Sequence, residues 1–390
     1  MSLPCRILFV TPTIGAGHAW RAVHIGRELL RQASRIELLY LTGGPPVEIL
    51  RGEGLAVRDT LAVNALHMDD GILQPKPFLK GAAAAEKQHN QEVHHVVDRF
   101  DPHLIIFDEM WFPAWTSSLR RWARTVFASD FVVVPPPRCP DFKSQWAYRA
   151  YATVARTIIR SADRALLLND PDALPSAGVR EWAVKHMEIV GPITRCDHPI
   201  PRSQAIAQLG WGGCRNIVVT VGGSGAGDYL VRLTLEAHRR LNLSDVRLHV
   251  FCGSRLSPAQ FQEMAGRSVA FYHYVDNLPL YLAAADLAIV QAGLSSTVEA
   301  VRSGVPLIVV PIHNHLEQQM TADYVSGTGR AIQIRRNELT AAVLAERVEQ
   351  VLNDAGMAAN MLSRIAFGHH GGGAARAAEV ILDTVQVRAN

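Results

Sequence analysis

Short apolar runs, each followed by a glycine-rich or polar turn and then a longer amphipathic stretch, recur along the whole chain. Arg6–Thr11 (RILFVT) has the pattern of a buried strand, and a helical pattern follows from His18 to Gln32. Ile36–Thr42, His103–Asp108, Thr125–Ala128, Arg164–Asn169 and Glu188–Val190 continue the strand series. Strands that alternate with helical stretches form parallel βα units, so the pattern predicts a doubly wound sheet.

The second half repeats the plan. Asn216–Val221, Arg247–Phe251, Val269–Tyr274, Leu287–Val290 and Leu307–Val310 read as strands with helices between them. Gly191–Arg202 (GPITRCDHPIPR) has prolines and no periodicity, which predicts an interdomain linker. The division expected is a Rossmann-like domain over 1–195, a second Rossmann-like domain over 196–368, and a final helix in 369–390 free to cross back to the first domain. Two such α/β domains would face a cleft lined by the carboxyl ends of their strands. Leu66–Phe100, with its glycine, prolines and alanine run, reads equally as a surface loop with a helix or as an acceptor-binding flap.

Bulk properties narrow the class. A chain of 390 residues is long for one core, and 48% hydrophobic with 19% charged residues describes a folded globule. A net charge of +3, with Lys and Arg dispersed, argues against a nucleic-acid partner. Five scattered cysteines without a CxxC pair predict a reducing, cytoplasmic setting. The start MSLPCRILFV lacks the pattern of a signal peptide, and no apolar run reaches membrane-spanning length. Peripheral membrane contact stays open. The pairs His94-His95, His313/His315 and His369-His370 lack zinc-ligand spacing, so no protein-bound metal is expected.

The densest chemistry lies in Gln291–Pro306 (QAGLSSTVEAVRSGVP), directly after a buried strand pattern. Gly293 breaks the strand, Ser295, Ser296 and Thr297 are suited to cap a new helix, and Glu299 falls one turn inside it. A helix start with free N–H groups suits a diphosphate, and a carboxylate one turn in suits the hydroxyls of a ribose. The same residues also fit a capping box in which Glu299 bonds back to Ser296. Gly222–Gly227 (GGSGAG) follows a strand and lets the backbone approach a phosphate closely, with Gly223 and Ser224 at its centre. It lacks the Lys of a Walker loop. Gln318 and Gln319 open a later helix. Arg195, in the linker, either reaches a phosphate or is solvated.

In the first half, Gly15-Ala16-Gly17-His18-Ala19-Trp20-Arg21 turns from a strand into a helix. The positive end of the helix disfavours an imidazolium, so His18 is expected to be neutral and able to take a proton, or else simply to pack. Trp20 stands where a dinucleotide loop needs its third glycine, so that reading fails. Asp108 ends a strand and can hold the His18 ring, or can cap the next turn. Glu109 follows it, and Asp108 is preferred as the closer to the strand.

These motifs resemble nucleotide-sugar glycosyltransferases of the GT-B fold, most closely the MurG family of peptidoglycan N-acetylglucosaminyltransferases. GGSGAG is similar to that family's GGSQGA loop, AGLSSTVEAVRSGVP to its diphosphate and ribose helix, and EQQMTAD to its sugar-contacting QQ segment. The pattern GxGHxxR, here Gly15 to Arg21, occurs in related glycosyltransferases and in a UDP-sugar hydrolase. The resemblance implies an inverting, metal-independent glycosyltransferase, a hexosyltransferase, with no cofactor and a UDP-sugar as donor. The acceptor would be a small molecule, a glycan or a lipid-linked hydroxyl. It implies that His18 is the base and Asp108 its partner. Glu299 would hold the ribose, while Gly17, Gly223, Ser224, Gly293, Ser295, Ser296 and Thr297 would meet the diphosphate with Arg195. The Val275 main chain would meet the uracil, and Gln318 and Gln319 would read the sugar. Ala322 replaces the family's asparagine after the glutamine pair, and Leu316-Glu317 displaces its acidic residue. A UDP-sugar hydrolase or epimerase, and a non-catalytic nucleotide-sugar-binding subunit, are the alternatives.

Overall fold

The structure is a computed structural model and describes residues 4–13, 15–60, 68–69, 72–73, 90–110, 123–133, 142–196, 199–223, 225–368 and 372–386. Ser224, Cys139, His369, His370 and most of the proposed 66–100 flap lie outside the described residues. The chain divides into two compact units. One comprises Met1–Asn64, Leu79–Ile193 and His369–Asn390, and the other Ala65–Phe78 and Thr194–Gly368.

The first unit holds strands β1 (Cys5–Val10), β2 (Ile36–Thr42), β3 (Val57–Asp59), β6 (Leu104–Asp108), β7 (Arg124–Ser129), β8 (Arg164–Leu167) and β9 (Glu188–Ile189). A small antiparallel hairpin, β4 (Met68–Asp69) with β5 (Ile72–Leu73), falls between β3 and β6 in sequence. The seven-stranded sheet runs β3-β2-β1-β6-β7-β8-β9, and each adjacent pair is parallel. Strand order reverses between β1 and β6, where Val10 pairs with Phe107. Their apolar runs are buried because helices cover both faces of such a sheet.

The helix Ala16–Gln32 packs on this sheet through Ala19, Ala22, Val23, Ile25 and Leu29. Gly26 is required there: a Cβ would lie 1.8 Å from the Tyr40 hydroxyl, which itself donates to the Ala22 carbonyl. The last helix, Gly373–Gln386, lies beside Ala16–Gln32, and the Ala375 carbonyl accepts from Gln32 Nε2 at 3.2 Å.

The second unit holds β10 (Arg215–Thr220), β11 (Val246–Phe251), β12 (Val269–Tyr272), β13 (Leu287–Val290), β14 (Leu307–Val309) and β15 (Ala331–Gln333). Its sheet runs β12-β11-β10-β13-β14-β15, again with parallel pairs, and reverses between β10 and β13. A continuous core of Ile217, Val219, Leu248, Val250, Ile289 and Ile308 joins the sheet to helices Asp228–Leu241 and Ala341–Asn353. Two Rossmann-like units follow, as the strand pattern predicts. The three-residue strands Val57–Asp59 and Ala331–Gln333 were not anticipated, since each is an edge strand too short to carry a period. Among the described residues no helix is long and apolar enough to cross a membrane. Cys5, Cys196, Cys214 and Cys252 are free thiols.

Candidate functional site

Open α/β sheets bind ligands at the carboxyl ends of the strands where strand order reverses. Each unit has one such point, and the motif residues gather at both.

In the first unit, Thr11 follows β1 and Asp108 ends β6, side by side across the reversal. The helix Ala16–Gln32 begins just beyond, with Gly15 at φ 79° as its N-cap and Gly17 and His18 in its first turn. His18 Nδ1 lies 3.0 Å from Asp108 Oδ2. A carboxylate can only accept, so Nδ1 carries a proton, and Nε2 is the ring atom left to exchange one. Asp108 is wholly buried and also accepts from Thr11 Oγ1 at 3.1 Å and Arg21 Nη1 at 2.7 Å. Arg21 in turn donates through Nη2 to Asp130 at 2.6 Å. Burial alone would raise the Asp108 carboxyl, but the charges of Arg21 and His18 and their hydrogen bonds hold it below the ordinary aspartate value.

Glu109 completes the cluster. It adopts φ 54°, a left-handed conformation that a non-glycine residue rarely takes. Its Oε1 accepts from the Asp130 amide at 2.9 Å, and its Oε2 lies 3.9 Å from His18 Nε2. Burial first, then the negative charges of Asp130 and Asp108, push its carboxyl well above the ordinary glutamate value despite the pull of Arg21. The motif arginine Arg21 and the acid Asp130 had no role assigned from the sequence. The GxGHxxR spacing was the available signal for Arg21, because i and i+3 share a helix face.

In the second unit, β10 runs into the glycine turn and β13 into the helix Leu294–Arg302. Gly225 sits at φ 78°, and a Cβ on Gly227 would lie 2.1 Å from the Val221 side chain, so both positions require glycine. Gln291, buried after β13, donates to the Ala226 carbonyl at 3.0 Å and so ties the turn to the neighbouring strand end. Gln291 is a bracing residue that the sequence did not single out.

The helix start corrects one expectation. Its N-cap is Gly293, with no side-chain cap, and the Ser-Thr cluster lies inside the first turn. Ser296 Oγ and Thr297 Oγ1 both donate to the Gly293 carbonyl, at 3.1 and 2.9 Å. Since these hydroxyls do not cap, the amides of Leu294, Ser295 and Ser296 have no partner within the helix. At the other end, buried Arg330 donates to the Val301 and Val305 carbonyls, although burial pulls its guanidinium down to about 10.

Glu299 forms no capping box. It is 1% exposed and meets Arg195 as a fork: Nε to Oε1 at 2.9 Å and Nη2 to Oε2 at 2.8 Å. Arg195 Nη1 also donates to the carbonyls of Val275 and Asp276, at 3.1 and 3.0 Å. Burial draws the guanidinium down, but Glu299 more than offsets it and the net shift is upward. Arg195, Val275 and Glu299 are therefore brought together. Gln318 is buried in the first turn of Leu316–Gly327, where its Oε1 accepts from the Ile312 amide at 3.0 Å, and half-buried Gln319 follows it. Gly223 is half-buried at the turn. Among the described residues no group of three His, Cys, Asp or Glu side chains forms a metal site.

The stretch that holds the glycine turn, the helix start and the glutamine pair matches a known domain. Residues 216–371 fit the glycosyltransferase family 28 C-terminal domain. The second unit is MurG-like. A protein of Mycolicibacterium vanbaalenii named UDP-N-acetylglucosamine–N-acetylmuramyl-(pentapeptide) pyrophosphoryl-undecaprenol N-acetylglucosamine transferase is 28% identical over 234 residues, 58% of this chain and 56% of its own. The match thus spans little more than half of that relative. In three dimensions the likeness covers both units. The glycotransferase of kitacinnamycin superposes at TM-score 0.69 with 19% identity, covering 98% of this chain and 99% of its own. A putative UDP-N-acetylglucosamine 2-epimerase from Listeria monocytogenes superposes at TM-score 0.66 with 12% identity, covering 100% and 97%. These structures share the GT-B fold of two Rossmann-like units.

Proposed function

We propose that this protein is an inverting, metal-independent glycosyltransferase that moves a hexosyl group from a UDP-sugar to an acceptor hydroxyl. The observation that carries this reading is the family 28 domain match over the helix start at Gly293. The amides of Leu294, Ser295 and Ser296 that the helix leaves free, the helix dipole, Gly223 and Ser224 would stabilise the leaving diphosphate, doing electrostatically what a cation does elsewhere. Glu299 would accept from the ribose hydroxyls and the Val275 carbonyl from the imide N–H of uracil. Gln318, its carbonyl oxygen engaged by Ile312, would present its amide donors to the sugar together with Gln319.

His18 would take the acceptor proton on Nε2. Asp108 fixes the tautomer that leaves Nε2 free and would stabilise the imidazolium as it forms. The acceptor is a small molecule, a glycan or a lipid-linked hydroxyl, with peripheral membrane contact in the last case.

One observation favours a second reading. Glu109, whose neutral form burial favours, sets a candidate acid 3.9 Å from the candidate base His18. An epimerase, which removes and returns a proton on the sugar, needs such a pair, whereas transfer to an acceptor or to water needs only the base. Incubation with UDP-, dTDP- and GDP-sugars, with and without cell extract as acceptor source, separates the two. UDP release that requires extract supports transfer, release without it supports hydrolysis, and preference for dTDP or GDP overturns the uridine assignment.

A further inference from the structure

Resting on the nucleotide site just proposed, we infer that Arg195 is an internal stand-in for the nucleoside, which the donor must displace before it binds. Glu299 and the Val275 carbonyl are both acceptors, and each already has a donor from one guanidinium. The forked edge of Arg195 supplies the Glu299 carboxylate with two parallel N–H groups, as the two vicinal hydroxyls of a ribose would. The remaining amino group supplies the Val275 carbonyl with one N–H, as the imide of uracil would. The match extends to charge. A buried carboxylate needs a partner when no ligand is present, and Arg195, with its side chain 14% exposed, provides it.

The chain makes this exchange feasible. Arg195 lies in an irregular segment between β9 and the helix Arg202–Leu209, so its side chain is not fixed by a helix or a strand ladder. Its own amide sits 3.3 Å from Glu299 Oε1, which keeps the backbone beside the carboxylate while the side chain moves. Once displaced, the guanidinium is a desolvated cation beside a ligand that carries a diphosphate, and it pairs there. The cost of opening is then recovered only by a ligand with phosphates. A bare nucleoside must break the fork with nothing to receive the cation. The arrangement therefore selects nucleotide over nucleoside by more than the phosphate contacts alone provide.

Calorimetric titration of the full chain with uridine and with UDP tests this, using the wild type, Arg195→Ala, Arg195→Lys and Glu299→Ala, each checked for folding by thermal melting. A site closed in about nine-tenths of molecules lowers apparent affinity about tenfold, so Arg195→Ala is expected to bind uridine about tenfold more tightly than the wild type. UDP should gain less than uridine or lose affinity, and the preference for UDP should shrink. Arg195→Lys, which keeps the charge without the fork, should shift uridine in the same direction and serves if the alanine variant does not fold. Uridine affinity unchanged or weaker in both Arg195 variants overturns the stand-in. If Glu299→Ala then still loses uridine binding, the nucleotide site survives and only the displacement falls. If Glu299→Ala binds uridine and UDP as the wild type does, the site itself is refuted and the inference with it.

Discussion

The two strand-order reversals use opposite materials. Around His18 the groups are side chains, with buried Arg21, Asp108 and Asp130 and half-buried Glu109 joined by hydrogen bonds of 2.6–3.1 Å. At the start of Leu294–Arg302 the groups are mostly main-chain amides and carbonyls, with one side-chain pair, Arg195 and Glu299. A main-chain site costs little to build, because the helix start exists in any case and only needs room. A side-chain cluster of several charges depends on every member, since one loss leaves its partners buried and unpaired. The first reversal should therefore be fragile and chemically specific, and the second robust.

The widest gap between them should appear in His18→Ala. Loss of a general base is expected to cut sugar transfer by about 10²–10⁴-fold. UDP affinity should stay within about twofold, since the ribose, uracil and diphosphate contacts proposed above come from residues of the second unit. Donor-dependent UDP release and calorimetry read the two effects separately. A parallel fall in both would mean that the two regions act as one binding site. Next is stability. Arg21→Ala strands Asp108 and Asp130 in the core and should lower unfolding free energy by about 3–5 kcal/mol, measured in urea. A change below about 1 kcal/mol would show the cluster to be hydrated and the contrast false.

The same contrast governs what could be read in advance. Donor-side features are contiguous, so GGSGAG and AGLSSTVEAVRSGVP announce themselves as motifs. The His18 cluster is assembled from positions far apart: Arg21 reaches Asp108 across 87 residues and Asp130 across 109. Strand pattern placed Asp108 at a strand end beside His18, but nothing local marked Asp130. Local reading also misled once. The Ser-Thr run looked like a cap, yet the Ser296 and Thr297 hydroxyls turn back to Gly293, and that glycine, two residues before the run, is the N-cap. Nor did any spacing show that Arg195 would meet Glu299, because that contact joins an irregular segment to a helix 104 residues away.

A smaller effect sets the two units against each other in pH. In the second unit His249 stacks on Trp211 and is neutral: Asn216 Oδ1 accepts from its Nε2 and its Nδ1 accepts from the Tyr272 hydroxyl. Burial first, then the charge of Arg247, depress it from 6.5 to about 4. A depressed folded-state value means that the unfolded chain takes the proton first, so stability held above 6.5 is lost as pH falls toward 4. The loss should be of order 2 kcal/mol. Glu109 runs the other way. Its folded-state value is raised, so the stability it contributes is complete below the ordinary glutamate value and declines as pH rises above it. Between pH 7.5 and pH 5 the first unit should gain and the second lose. Calorimetric scans at the two pH values, in which both units shift the same way, would contradict this.

The smallest effect isolates Glu109 itself. Glu109→Gln replaces a carboxyl whose neutral form is favoured by burial with a neutral amide of the same shape, so folding at mildly acidic pH should change by no more than about 1 kcal/mol. The decline of stability with rising pH should flatten, because the group that released its proton on unfolding is gone. Activity tells the two functional readings apart at the same position. Transfer that needs only His18 should persist within about tenfold, because the amide still accepts from the Asp130 amide and keeps the loop in place. Epimerisation, in which Glu109 would have to give up a proton, should fall by about 10²-fold or more. Acceptor-dependent UDP release that collapses in Glu109→Gln would therefore move Glu109 from a neighbour of the base to a participant in the chemistry, and the first reversal would then contain an acid and a base where transfer needs one.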